Sequence, residues 1–142
     1  MKKILFILII LIPLLFPSGS ILAQKTPEAV TKAFAAKFPK VTKVDFDKEG
    51  NGEYEAEFKE NGVGMSANFS ATGDWVETES EISVDKLPAT VVAAIKKAHP
   101  KSKIVGAARI ETASKGVLYE ADLKRGILKA EVLYDENGNF IK

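Results

Sequence analysis

The 142-residue chain contains no cysteine. Disulfides, cysteine-based metal sites and the thiol through which exported bacterial proteins are lipidated are all excluded. Histidine is almost as scarce, His99 being the sole one. A zinc centre needs several His or Cys ligands and cannot be assembled from this set, so no metal site or cofactor is expected. Nucleophilic catalysis is equally unsupported, because no G-x-S-x-G or similar elbow occurs. A dense Lys/Arg cluster with interleaved aromatics is also missing, which argues against nucleic acid as a partner.

What the sequence does have begins with Lys2 and Lys3, followed by an apolar run from Ile4 to Phe16 broken only by Pro13. Pro17, Ser18, Gly19 and Ser20 end the run, and Ala23 offers a small residue at a cleavage point. This three-part layout predicts a secretory signal peptide over residues 1–23, with Ser20 as the other candidate cut. The run is shorter than the roughly 20 residues a membrane span needs, so contact with the membrane is expected only before cleavage. The mature chain is expected to be exported and held by its core alone.

Charge is near balance overall but uneven along the chain. Residues 24–85 carry seven lysines against thirteen acids, a net of −6, and residues 86–142 carry eleven basic residues against six acids, a net of +5. Two wet surfaces of opposite charge are expected, complementary either to each other or to a charged partner.

The mature chain also repeats itself. Pro27, Val30, Ala33, Phe34, Phe38 and Pro39 recur at an offset of 61 as Pro88, Val91, Ala94, Ile95, His99 and Pro100, and Val44 falls on Val105. Tyr54, Ala56, Phe58, Phe69, Gly73 and Trp75 recur at an offset of 65 as Tyr119, Ala121, Leu123, Tyr134, Gly138 and Phe140. Two fixed offsets separated by one insertion indicate a duplication, with units at 24–85 and 86–142.

Each unit opens with a helix. Proline is pre-set for the first helical position, Thr26 can cap the first helix, and the apolar residues follow a 3.6-residue stripe. Pro39 and Pro100 close both helices. Beyond them the apolar positions alternate with period two, as in Tyr54, Ala56 and Phe58 against Glu53, Glu55 and Glu57. Strands with one wet face belong to antiparallel sheets. Gly50-Asn51-Gly52, Asn61-Gly62, Thr72-Gly73, Arg125-Gly126 and Asn137-Gly138 supply hairpin turns. The expected fold is α+β: two tandem repeats, each a helix on a roughly four-stranded antiparallel meander. Units of this size are marginal alone, so the two are expected to pack together or pair their sheets.

The candidate partner-binding residues are the acids that share one wet face of the first unit: Asp45, Asp47, Glu53, Glu55 and Glu57. An acid–base pair needs two carboxyls in unlike environments, and a run of exposed acids is not that. The alternative use is a cation or small ligand on the acidic hairpin at 45–57. Asp45-x-Asp47-x-Glu49-Gly50 imitates the start of a calcium loop, but its twelfth position is Ala56, where a bidentate Glu is required. His99 opposite Phe38 and Trp75 opposite Phe140 read as structural residues, since each has an apolar or aromatic counterpart.

The segments Val30–Pro39, Tyr54–Phe58, Gly73–Glu79, Leu87–Ile95 and Tyr134–Gly138 carry a further signal. They read Val-x-x-Ala-Phe-x-x-x-Phe-Pro, Tyr-x-Ala-x-Phe, Gly-Asp-Trp-x-x-Thr-Glu, Leu-Pro-x-x-Val-x-x-Ala-Ile and Tyr-x-Glu-x-Gly. Together they resemble the beta-lactamase-inhibitor-like, PepSY-like family of small exported proteins of Gram-negative bacteria, over about residues 25–142. The resemblance implies a fold like that of the beta-lactamase inhibitor protein and a non-enzymatic role in binding or inhibiting a protein or peptide. His99 departs from the aromatic that such proteins often carry before the second closing proline. No functional residue is carried over position by position.

Overall fold

The computed structural model describes residues 25–142; the signal-peptide segment lies outside them. Helix α1 (Glu28–Lys37) precedes strands β1 (Val44–Lys48), β2 (Tyr54–Glu60), β3 (Val63–Phe69) and β4 (Trp75–Ile82). A 3-10 turn at Val84–Lys86 leads into α2 (Ala89–Ala98), followed by β5 (Lys103–Thr112), β6 (Gly116–Arg125) and β7 (Leu128–Asp135). The strands form one antiparallel sheet in the order β1-β2-β3-β4-β5-β6-β7. The two units therefore join through β4 and β5, as Ile82 opposite Ala107 and Ser80 opposite Arg109 show.

Both helices lie on the same side. Val30 and Phe34 of α1 pack with Tyr54, Ala56, Phe58 and Phe69. Val91 and Ile95 of α2 pack with Ala121, Leu123, Val132 and Tyr134. Cross-strand partners share a face in an antiparallel sheet, and one such row runs Phe58, Met65, Ser80, Arg109, Tyr119, Tyr134. It touches both cores, so the alternate positions of every strand face away from both helices.

The duplication is visible in detail. Phe38 ends α1 at φ −124°, ψ 63°, and His99 ends α2 at φ −128°, ψ 58°, each donating its backbone N–H to the carbonyl four residues back. Half-buried His99 thus closes α2 with the same backbone cap that Phe38 gives α1, although only Phe38 is part of a core cluster. Gly73 and Gly138 hold φ of +89° and +83°, and a Cβ there would lie 2.7 Å from the Ala29 carbonyl oxygen and 2.8 Å from that of Thr90. The turn after the third strand of each unit is therefore pressed onto the first turn of its helix, in a conformation that favours glycine.

Three details differ from the sequence reading. Thr26 does not cap α1, because Pro27 occupies the cap position without any side-chain hydrogen bond, its carbonyl accepting from the Val30 and Thr31 N–H groups. Val105 is not the counterpart of Val44. Val44 pairs with Phe58, and the matching Leu123 pairs with Ile104, leaving Val105 bulged out and 54% exposed. The second unit has three strands, its fourth reduced to a bridge between Tyr134 and Phe140. Residues 139–142 run beside β7, where the Ile141 N–H donates to the Leu133 carbonyl and the Leu133 N–H to the Lys142 carbonyl.

Candidate functional site: the helix-free face of the sheet

Strand parity decides what this face displays. One row reads Asp45, Glu57, Ser66, Glu79, Ile110, Leu118, Asp135 from edge to edge. Beside it lie Asp47, Glu55, Asn68, Glu77 and Thr112 on one side, and Lys59, Gly64, Glu81, Ala108, Glu120 and Leu133 on the other. Asp122 and Glu131 form a further pair, followed by Lys124 and Lys129.

The structure brings the five sequence-predicted acids together. Asp45 faces Glu57 and Asp47 faces Glu55 across β1 and β2. Glu53 stands in the turn before β2, near enough to Glu77 to raise its pKa, although burial is the larger cause. Burial also lifts Glu55, against a lowering hydrogen bond from Ser66. The flanks of 45–57 are strands, and the twelfth loop position, Ala56, is fully buried under α1.

Sequence reasoning stopped short of the other half of the face. Glu77 and Glu79 come from β4, and Glu120, Asp122 and Glu131 from the second unit. Burial, then the charge of Glu131, raises Glu79 to about 7. Burial and a hydrogen bond shared with Glu131 raise Glu120 still further above the carboxylate range. Carboxylate oxygens of Glu120, Asp122 and Glu131 lie within 4.8 Å of one another. The two units do not present faces of opposite charge. Acids of both converge on one surface, while Lys96 and Lys97 sit on α2, on the other side. The alternation of β6 was the available signal, since Glu120 and Asp122 flank the core residue Ala121.

Within this acidic surface is an apolar strip. Ala108, Ile110 and Leu118 are 4%, 6% and 4% exposed, although both helices pack on the opposite side. They belong to neither helix-side core. Their row neighbours are Glu79, Glu81 and Glu120, whose aliphatic stems can lie along them while the charged ends reach outward.

The arrangement defines a class: an α+β protein with one sheet face buried under two helices and the other presented as a broad surface without a catalytic set among its described residues. Comparison supplies the family. The family described as "Putative beta-lactamase-inhibitor-like, PepSY-like" matches residues 18–63 and 52–142. The chain belongs to that family.

Solved structures share the fold. A protein of Bacteroides eggerthii assigned to the periplasm superposes with a TM-score of 0.75 at 16% identity, covering 83% of this chain and 87% of its own. A DUF2874 family protein of Bacteroides ovatus gives 0.73 at 23% identity, with 83% and 86% covered. A BLIP-like protein of Bacteroides fragilis gives 0.68 at 20% identity, with 83% and 84% covered. No curated protein matches the chain.

Proposed function

We propose that the chain is an exported, periplasmic binding module that engages a protein or peptide partner through the helix-free face of its sheet, with an inhibitory outcome where that partner is an enzyme. The observation that carries this reading is the continuity of that face across both units, with carboxylates of both displayed over Ala108, Ile110 and Leu118, which are buried beneath them. A broad face of one charge sign favours a partner of complementary charge. Asp45, Asp47, Glu53, Glu55 and Glu57 form one flank of the surface. The leader-like residues 1–23 and the family resemblance support export.

Charge reversal tests the reading. A triple variant Glu57→Lys/Glu79→Lys/Glu131→Lys changes the proposed face, and Lys32→Glu/Lys96→Glu/Lys97→Glu changes the helices. A periplasmic protein retained at low salt by the native chain should be lost by the first variant and kept by the second. Retention by the first variant would overturn the assignment of the face.

A further inference from the structure

The two edges of the sheet are not alike. At β7 residues 139–142 cover the Leu133–Asp135 end of the edge. At the other edge β1 pairs with β2 alone among the described strands. Next to it, between β1 and α1, an apolar groove of about 210 Å³ opens, lined by Phe34, Ala35, Phe38, Val41, Val44 and Phe46.

The internal repeat shows what fills the corresponding place in the other unit. Phe46 pairs with Ala56, and its counterpart Ala107 pairs with Ala121. The far side of Ala107 is occupied by Ile82 of β4, lying antiparallel and packed against the α2 core together with Val84. The first unit has the same strand–helix corner with no described strand laid into it. Charge then specifies the occupant. Asp45 and Asp47 flank Phe46 on the helix-free side. A strand laid beside β1 would set its alternate residues next to these aspartates and the residues between them over the groove.

We propose that the β1 edge and its groove take an extended segment of a partner protein, added antiparallel to β1, in which apolar residues alternate with lysine or arginine. Strand addition draws affinity from main-chain hydrogen bonds and selectivity from the alternate side chains. A second copy of this chain is the poorer occupant, because antiparallel pairing of two β1 strands would set aspartates against aspartates. The inference concerns the edge and the helix-side groove, and holds whether or not the broad face binds a partner.

The probe is a capped heptapeptide alternating lysine and valine, titrated into the isotope-labelled chain and followed by amide shifts. Saturable shifts in Val44–Lys48 and around Thr31 and Ala35 are expected. Ala35→Trp, an exposed helix position that lines the groove, should weaken binding by about tenfold through lost apolar burial. Asp45→Lys/Asp47→Lys should reverse the preference towards a glutamate–valine peptide by about fivefold. Shifts confined to Glu79, Glu120 and Glu131 would mean attraction by charge alone and would overturn the proposal. So would an absence of saturable binding, unchanged affinity in Ala35→Trp, or dimerisation of the chain through β1.

Discussion

Glu120 on β6 and Glu131 on β7 lie diagonally across one strand pair, with carboxylate oxygens within 4.8 Å of each other. Two carboxyls this close repel when both are charged, which favours the protonated form of one of them.

The pair, with Glu79 beside it, therefore sets a pH dependence. In the unfolded chain these glutamates titrate in the ordinary range, whereas in the folded chain Glu79 holds its proton to about 7 and Glu120 beyond that. The folded state binds more protons across that window, so the associated stability is complete below the unfolded pKa and is lost as pH rises through the folded values. The unfolding free energy should be greater at about pH 5 than at about pH 8, by on the order of 1 kcal/mol once partial solvent exposure is allowed for, and the melting temperature should be higher at the lower pH. Glu120→Gln should flatten the difference. Equal melting temperatures at both pH values in the native chain would contradict the burial described for this face.

The paired glycines give a second test. Gly73→Ala and Gly138→Ala each force a methyl into the carbonyl oxygen of Ala29 or Thr90 at a positive φ. Each should cost about 2–3 kcal/mol in urea unfolding, combining backbone strain with the displaced contact. Gly126 also has a positive φ, +61°, but has nothing within 4 Å. Gly126→Ala should cost only about 1 kcal/mol. If all three substitutions cost the same, the helix contacts at Gly73 and Gly138 contribute nothing.

A third test asks whether the two units unfold as one. Trp75, the sole tryptophan, reports on the first unit, where its indole N–H donates to the Thr78 hydroxyl at 2.9 Å and Lys37 stands 3.9 Å from the ring centroid. Ile95, 1% exposed, lies in the core of the second. Ile95→Ala should cost about 2–5 kcal/mol. Because β4 and β5 make the sheet continuous, the Trp75 fluorescence midpoint should fall together with the backbone circular dichroism. A tryptophan midpoint left at its native value would show two independently folding units.

Much of the fold was legible because its signals are local. The two offsets, the prolines after Phe38 and His99, the period-two alternation and turns such as Asn61-Gly62 each report on a few neighbouring residues. Other features depend on pairing across the chain. Nothing local says that β4 meets β5, so the sequence could not bring Glu79 onto the same surface as Glu131. Regional net charge was misleading for the same reason: lysines of the second half are partly spent on α2, while strand parity sends its acids to the other side. The bulge was hidden because Val105 is itself apolar and continued the offset of 61, although Ile104 is the residue that pairs with Leu123. Of the candidate site, the Asp45–Glu57 flank could be read from alternation; the apolar strip could not, because Ile110 and Leu118 look like ordinary core residues until their face is known.

The unlike ends of the sheet set a limit on assembly. A sheet open at both ends can be extended from either side, and each added copy offers a fresh end to the next, which is the route to fibres. Here residues 139–142 shorten the edge left open at β7 by covering Leu133–Asp135, and the aspartates at β1 disfavour pairing with another β1. A strand accepted at β1 would complete the sheet rather than prolong it. The expected complex is one-to-one, and higher protein concentration should increase its occupancy without increasing its length.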